Sequence, residues 1–391
     1  MKRPAKHPGI RQVAGPRARW RACVDWVPPP SIIMPASPQG TLGGEETVLE
    51  IQRIVAASRF ANRGQAALAT LVSLDGSGFR RPGARLLVLP GDRLVGGVSA
   101  GCLEIDVAEH AKRAIGDGTT RVVPYRTDDT SVFGLGLGCG GRLKVLIEPL
   151  ALRSGRRHLA FLRALCGLRR AGAIATILSD DGLLGRYFAL GGSGRWEEGD
   201  APPFVARIAR DAAEAALDEV ERTRRPAHQI LPVPDGAWIL VESLAPPTAL
   251  LACGRGPDAD ALAAQAELLG WSVRQADPRT ASLGALPTSG AQAAVVMTHH
   301  LDHDRSCLEA LAGAPLEYLG IVGPRARTER LLAGLSIRAP VFAPVGLDIG
   351  AESPEEVALA ICAEIQAVLT GRGGGSLRDR RAPIHARDAG S

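Results

Sequence analysis

Aromatic residues are scarce in this 391-residue chain, and long uninterrupted apolar runs are missing. Phe, Trp and Tyr together make up 4% of the residues, whereas apolar residues of all kinds reach 46%. That apolar content is enough for the cores of two or three globular domains. No apolar run is long enough to cross a bilayer, which argues against a membrane protein. The 46 glycines and 28 prolines favour a loop-rich α/β protein over a fibrous one.

A basic face is also missing, although the formal net charge is +5. The first 40 residues carry seven basic residues against one acidic residue, and after Gly371 five basic residues stand against two acidic ones. The rest of the chain is therefore net acidic, and the sequence predicts no nucleic-acid-binding surface. Residues 1–44 are predicted to be a disordered basic arm and residues 372–391 a disordered tail.

The first 40 residues do not have the pattern of a secretory signal, because Asp25 and three consecutive prolines interrupt any apolar stretch. They are either a disordered arm or the product of a start codon placed too far upstream, with Met34 as the true start. Seven cysteines, an odd number, without such a signal predict free thiols in a reducing cytoplasm.

Apolar spacing predicts an α/β protein with two folded domains joined by a connector. Over residues 45–150, a helix followed by short strands indicates a strand-rich α+β domain. Residues 151–245 are predicted to be a connector with helices and strands of its own. Over residues 246–371, strands alternate with helices, which is typical of a doubly wound, Rossmann-like parallel sheet. Ser, Pro and Glu within residues 353–356 predict a capping box at the start of the last helix.

Two loops of small residues, over residues 96–104 and 133–141, each carry a cysteine. Such glycine-rich segments lose much conformational entropy on ordering, and they usually allow bare backbone to approach a ligand. Cys102 lies just before a predicted helix, whose N-terminal partial charge favours the thiolate that binds soft metals or carries sulfur. Free cysteines are equally often small buried hydrophobic residues, so the residue alone leaves both interpretations open.

Cys139 has only glycines and a leucine close by, which predicts that it is exposed or faces a cleft. The other donors of the first loop, the Ser99 hydroxyl and the N–H groups around Gly101, are expected to be available to an anion. No C-x-x-C motif occurs, so the sequence predicts no closed structural zinc site. The remaining cysteines are predicted to be inert.

A nucleotide-type loop begins at Gly254. Residues 254–259 fit G-x-G-x-x-G/A, follow a predicted strand and open a helix, and Asp277 ends the next strand at the spacing of a ribose-binding acid. Many doubly wound domains keep this turn without the ligand. Pro257 also removes one N–H from the start of the helix.

Three histidines and two aspartates lie within residues 298–304, after a predicted buried strand. At the carboxyl edge of a parallel sheet they would be placed to hold a metal or a phosphate. The alternative is that Asp302 simply caps the next helix. Arg325 or Arg327 is expected to be available for an anion at the same edge.

Together these motifs resemble the XdhC/CoxI family, the accessory factors of molybdenum hydroxylases such as xanthine dehydrogenase and carbon monoxide dehydrogenase. The resemblance covers most of residues 45–371. Its motifs are the segments 99–104 and 134–141 of the two cysteine loops, the Gly254 loop, and residues 67–76, 80–84, 146–149, 277–279, 297–299, 320–323 and 346–350. Ala100 and Pro257 depart from the family pattern, which often has glycine and histidine there.

The resemblance implies a cofactor-binding chaperone rather than a catalyst. Such a protein binds the molybdenum cofactor, as molybdopterin or its cytosine dinucleotide form, and protects it from oxidation. With a cysteine desulfurase it supports sulfuration of the cofactor, which it inserts into an apo molybdenum hydroxylase; a homodimer is compatible with the family. Cys102 is expected to be the essential thiol, Cys139 a supporting one, and Glu104 a hydrogen-bonding or proton-transfer group. The residues expected to bind the cofactor, or a nucleotide in the Rossmann-like domain, are Ser99, Gly101, Cys102, Gly138, Cys139, Gly140, Gly254, Gly256, Asp277 and His299.

Two other functions remain open at this point. An NAD(P)-dependent oxidoreductase would hold its cofactor on Gly254, Gly256 and Asp277, but it leaves both cysteine loops without a role. A redox- or metal-sensing module would use Cys102 and Cys139 directly.

Overall fold

The part of the chain that the structure describes is organised by three five-stranded sheets, two antiparallel and one parallel. The computed structural model describes residues 48–76, 79–126, 142–179, 182–191, 194–199, 201–233, 236–279 and 290–381. The predicted basic arm over residues 1–44 and residues 382–391 of the predicted C-terminal tail lie outside these residues.

The first sheet has the order β3-β2-β1-β5-β4 and is antiparallel throughout. Helix α1 precedes it, and α2 packs on one of its faces through a core that includes Val107 and Ala111 of the helix and Leu86 and Val145 of the sheet. The elements are α1 (Val48–Ala57), β1 (Ala67–Asp75), β2 (Arg85–Leu89), β3 (Arg93–Gly96), α2 (Glu104–Asp117), β4 (Arg121–Arg126) and β5 (Arg142–Pro149).

The second sheet is formed by the region predicted as a connector, in the order β8-β7-β6-β10-β9. It is also antiparallel, and α4 covers its outer face with Val205, Ala209 and Ala213. The elements are α3 (Arg153–Leu168), β6 (Gly172–Leu178), β7 (Leu183–Leu190), β8 (Gly194–Gly199), α4 (Pro203–Thr223), β9 (His228–Pro232) and β10 (Trp238–Leu244).

The two antiparallel sheets share a core. Leu68 and Leu87 of the first sheet belong to the same apolar cluster as Ile174 and Phe188 of the second, with α1 and α3 contributing further side chains. A smaller cluster joins Val72, Leu146, Leu178 and Leu240. Burial of these apolar side chains is the main force that holds the sheets together.

A charged network is buried in the same interior. Arg85 donates to both carboxylate oxygens of Glu242, at 3.0 and 3.2 Å, and to Nε2 of His158 at 3.2 Å. His158 Nδ1 lies 2.9 Å from Glu148, which also accepts from Arg186 at 2.8 Å. Because Nε2 accepts a hydrogen bond, His158 is neutral with its proton on Nδ1, and the two arginines balance the two glutamates.

The third sheet is parallel, with the order β12-β11-β13-β14-β15. Helices α5 and α8 pack on one face and α6 and α7 on the other, which is the doubly wound arrangement that the sequence predicted. The elements are β11 (Ala249–Cys253), α5 (Pro257–Leu268), β12 (Ser272–Ala276), β13 (Ala293–Val296), α6 (Leu301–Leu311), β14 (Tyr318–Ile321), α7 (Arg325–Leu332), β15 (Val341–Phe342) and α8 (Pro354–Leu369).

The capping box at α8 is confirmed. The Ser353 hydroxyl accepts from the Glu356 N–H, and the Glu356 carboxylate accepts from the Ser353 N–H at 3.0 Å. Within the described residues, no helix is long and apolar enough to cross a membrane.

Replacing Arg85 with methionine should leave the buried Glu242 carboxylate without its guanidinium partner. We expect the free energy of unfolding to fall by about 3–5 kcal/mol, the usual cost of breaking a buried ion pair. Urea titration would measure this. Lys112→Met is the matched control, since Lys112 pairs with Asp92 and Glu109 on the surface, where the loss of an ion pair should change the free energy of unfolding far less. Equal effects of the two substitutions would contradict the role of the network.

Stability should decrease as the pH falls below 6.5. Burial, together with the Arg186 guanidinium, lowers the pKa of His158 to about 3, so between pH 6.5 and 3 the unfolded chain binds a proton that the folded chain does not. Unfolding should therefore become easier by roughly 2 kcal/mol between pH 7 and pH 5, as measured by urea titration. His158→Gln has no ring to titrate, and its stability should change less over this range. A wild-type stability that is flat from pH 7 to 5 would contradict the neutral buried histidine.

Candidate functional site

The first cysteine loop joins the end of β3 to the start of α2. Gly96, at the end of β3, has φ +87°, and a Cβ there would clash with the Arg85 carbonyl oxygen, so only glycine fits. The Gly97 N–H donates to the same carbonyl at 2.8 Å. The start of the loop is therefore held against the backbone of Arg85, whose side chain belongs to the buried network.

Glu104 organises this loop. Its carboxylate accepts from the backbone N–H groups of Val98, Ser99 and Leu103 at 3.1, 2.8 and 3.2 Å, and from the Ser99 hydroxyl at 2.6 Å. Only 9% of the Glu104 residue is exposed. Glu104 is also the first residue of α2, where a carboxylate interacts favourably with the helix dipole. The carboxylate holds the loop in one conformation, and both donors of Ser99 are directed to it.

Cys102 is exposed at the N-terminus of α2. Its thiol donates to the Ser99 hydroxyl oxygen at 3.5 Å, and that hydroxyl in turn donates to Glu104. A hydrogen-bonded series thus runs from the thiol through Ser99 to a carboxylate. Gly101, just before the cysteine, has φ +101° and open space where a Cβ would lie, so bare backbone faces solvent beside the thiol.

Gly138, Cys139 and Gly140, expected to form the second cysteine loop, lie outside the described residues. Their contribution to the site stays a prediction.

A polar cleft of about 300 Å³ lies at the carboxyl edge of the parallel sheet. The strand order reverses between β11 and β13, which is the position where doubly wound sheets bind ligands. The cleft brings together the expected residues Gly254, Asp277 and His299. Its lining also includes Arg255, Pro278, Arg279, Thr298, His300 and His303.

The two loop glycines play different parts. A Cβ on Gly254 would lie 2.6 Å from the Met297 carbonyl oxygen, so this glycine allows close packing of β11 against β13. Gly256 has φ +109° and nothing within 4 Å of the corresponding Cβ position. No side chain caps the first turn of α5. Gly256 thus leaves an open backbone cradle at a helix N-terminus, although Pro257 provides no N–H.

Asp277 is engaged by its neighbour Arg279. The guanidinium donates to both carboxylate oxygens, at 2.9 and 2.8 Å, and the Arg279 N–H adds a third bond at 3.0 Å. These side-chain and backbone hydrogen bonds lower the pKa of Asp277 to about 2. Asp277 is therefore an ionised carboxylate paired with Arg279, and both residues line the cleft.

The segment 298–304 is organised by Asp304, and the interpretation of Asp302 as a helix cap is wrong. Helix α6 has His300 at its N-cap and no side-chain cap. The fully buried Asp304 accepts from the Thr298 N–H and hydroxyl, at 3.0 and 2.5 Å, and its other oxygen lies 2.6 Å from Arg327. Arg327 is thus committed to Asp304 rather than available to an anion, whereas Arg325 is exposed.

His299 has φ +59° and places its Nε2 2.9 Å from Asp258, in the first turn of α5. The rings of His300 and His303 lie 4.4 Å apart. Within the part of the chain that the structure describes, no three His, Cys, Asp or Glu side chains are grouped to hold a metal ion.

Comparison with known proteins decides the family. Residues 60–126 match the model of the XdhC and CoxI family, and residues 250–365 match the XdhC Rossmann domain. The chain is also 33% identical over 325 residues to a probable xanthine dehydrogenase subunit of Bacillus subtilis, covering 77% of this chain and 92% of that protein. The chain belongs to the XdhC and CoxI family.

Two further relatives agree with this assignment. The crystal structure of a xanthine dehydrogenase from Bacillus halodurans superimposes on this XdhC-family chain with a TM-score of 0.64 at 25% identity, covering 84% of this chain and 98% of the other. The uncharacterised protein YqeB of Escherichia coli K12 is 30% identical over 198 residues, which span 44% of this chain and 34% of YqeB.

Sequence reasoning missed Asp304 and Arg327 as an interacting pair. Asp304 lies four residues before Leu308 and seven before Leu311, both buried, so helical spacing placed it on the buried face of α6. The same spacing relates Arg327 to the buried Leu331 in α7. The sequence does not reveal that these two helices face each other.

Loss of the Glu104 carboxylate should loosen the Cys102 loop of this XdhC-family protein. In Glu104→Gln the amide NH₂ cannot accept hydrogen bonds, so we expect amide hydrogen exchange at Val98 and Ser99 to accelerate about tenfold or more. Mass spectrometry or NMR would measure it. Glu109→Gln is the control, because Glu109 lies on the exposed face of the same helix and, among the described residues, pairs only with Lys112. Unchanged protection in Glu104→Gln would contradict the organising role.

Proposed function

We propose that this protein binds the molybdenum cofactor, supports its sulfuration with a cysteine desulfurase, and delivers it to an apo molybdenum hydroxylase of the xanthine dehydrogenase or carbon monoxide dehydrogenase type. The observation that carries the proposal is the exposed Cys102 thiol, which lies in a preorganised loop within the residues that match the XdhC and CoxI family model. The name of the Bacillus subtilis relative supports a xanthine dehydrogenase as the client.

Cys102 is the group assigned to the metal end of the cargo. A thiolate is a soft ligand suited to a sulfur-bearing molybdenum centre, and an exposed thiol can also receive or pass sulfur. The cysteine is reachable without unfolding, since it is exposed next to the bare backbone of Gly101. The loop is held by hydrogen bonds before the cargo arrives, so little ordering entropy is lost on binding.

Ser99 and Glu104 supply a route for the thiol proton. The Cys102 S–H donates to Ser99 Oγ, and the Ser99 O–H donates to Glu104 Oε2 at 2.6 Å. When the thiol ionises, its proton moves to Ser99 as the Ser99 proton moves to the carboxylate. In this assignment Glu104 both fixes the loop and accepts the proton.

The parallel-sheet cleft is the place we assign to a nucleotide, such as the nucleotide part of the cytosine dinucleotide form of the cofactor. Gly256 leaves room for a phosphate at the start of α5, and Arg255 borders the cleft with positive charge, whereas Asp277 balances the charge of Arg279. An NAD(P) enzyme would use the carboxylate of Asp277 for ribose hydroxyls, whereas here that carboxylate accepts three hydrogen bonds from Arg279.

Anaerobic incubation with released molybdenum cofactor, followed by gel filtration with molybdenum and pterin quantified, tests the proposal. We expect the wild-type protein to co-elute with both, and Cys102→Ala to retain less than about a tenth of the molybdenum, because it lacks the soft ligand. Cys166→Ala is the matched control, since Cys166 is the other described thiol that reaches solvent.

Retention by Cys102→Ala equal to that of the wild type would remove Cys102 from the site. Absence of co-elution in the wild type, together with tight NAD(P) binding, would overturn the proposal in favour of an oxidoreductase.

A further inference from the structure

A second cleft, of about 440 Å³, lies where α3 and α4 end. Three arginines line it: Arg169 and Arg170 follow α3, and Arg224 follows α4. It has no lining residue in common with the Cys102 loop or with the parallel-sheet cleft. The proposed function gives it no role.

The three guanidinium groups make few hydrogen bonds to the protein. Arg169 donates one bond to the Ser272 hydroxyl at 2.8 Å, and Arg170 donates one to the Gly191 carbonyl at 3.0 Å. For Arg224 the described residues offer no side-chain hydrogen-bond partner, and none of the three is ion-paired with a described carboxylate. The carboxylate in the lining, Glu221, has one oxygen directly against Gly191, where a Cβ would clash with it. Several N–H donors therefore stay open toward the cleft.

The backbone at two of these arginines is unusual. Arg169 has φ +50° and Arg224 has φ +57°, the left-handed conformation in which helices normally end on glycine. A β-carbon is disfavoured there, and yet both positions carry arginine and both residues line the same cleft.

Capping of the helix ends does not account for the arginines. A basic side chain near a helix C-terminus can bond the last carbonyls, but the Arg169 guanidinium bonds Ser272 instead, and that of Arg224 bonds no carbonyl of α4 among the described residues. The feature that Arg169 and Arg224 have in common is the cleft that both residues line.

We propose that this cleft binds a small molecule carrying a diphosphate group. Three guanidinium groups against one carboxylate give the cleft a net charge of about +2, which complements a multiply charged anion. One guanidinium group can bind two phosphate oxygens at once, and the open donors of three arginines suit two adjacent phosphates. The volume lies within the range of small-molecule sites. The source of the diphosphate is either the inorganic ion or a nucleotide.

Calorimetric titration of the full chain with inorganic diphosphate, and separately with a nucleoside diphosphate, tests the proposal. Arg224→Gly is the decisive variant, because glycine suits the left-handed backbone and removes the side chain without straining the fold. We expect its affinity for diphosphate to fall about tenfold or more, with an unchanged or higher melting temperature. Tighter binding of the nucleotide than of the inorganic ion, with both lost in Arg224→Gly, would identify a nucleotide as the source.

Two variants serve as controls. Arg222→Ala removes a positive charge from the same end of α4, where Arg222 pairs with Glu219, and its affinity should stay within about twofold of the wild type. Arg279→Ala removes a guanidinium group from the parallel-sheet cleft, and the diphosphate binding that Arg224→Gly weakens should persist in it. A phosphate held in the parallel-sheet cleft is thereby told apart from one held here, so this result does not depend on the proposed cofactor function.

Absence of diphosphate binding to the wild type would overturn the proposal, as would an equal loss in Arg222→Ala. A glutamate-rich peptide that binds the wild type more tightly than diphosphate does, and that Arg224→Gly abolishes, would instead identify a protein docking surface and also overturn it.

Discussion

Charge neutrality in the interior between the two antiparallel sheets is the constraint on which the N-terminal half depends. Arg85 and Arg186 are buried with Glu242 and Glu148, and a neutral His158 joins the two pairs. Burial opposes ionisation of Glu148, but Arg186 and His158 outweigh it and lower the pKa of that carboxyl to about 2. Each charge comes from a different strand, so the strands must stay in register for every group to find its partner.

The position of the cysteine loop depends on this network, because Arg85 contacts both. Arg85 donates to the Gly83 carbonyl at 2.6 Å, while its own carbonyl accepts the Gly97 N–H that begins the loop. From there the Glu104 carboxylate fixes the backbone up to the start of α2, and Cys102 is left exposed. A thiol on the surface is thus held by a series of contacts that begins in the core. Such a site loses little conformational entropy when it meets a ligand.

Much of the architecture was predictable because it follows from local periodicity. The doubly wound C-terminal sheet, the helix start at Glu104 and the capping box at Ser353 are all confirmed, and each depends on side chains only a few residues apart. The strands β7 to β10 were not individually predicted. In β10 the apolar run 238–241 carried a strand signal. The largely exposed β9 shows no clear alternation, and its pairing with β10 depends on the tertiary structure.

The sequence by itself determined the family, the parallel-sheet fold and the loop that carries Cys102. Only the tertiary structure decided that Glu104 is a hub of four hydrogen bonds, that Asp277 is paired with Arg279, and that Asp304 rather than Asp302 organises the histidine segment. It also brought Arg169 and Arg224, 55 positions apart in the sequence, to one cleft. The reason is physical: periodicity records which face of an element is apolar, whereas the partner of a polar group is chosen by which elements pack together.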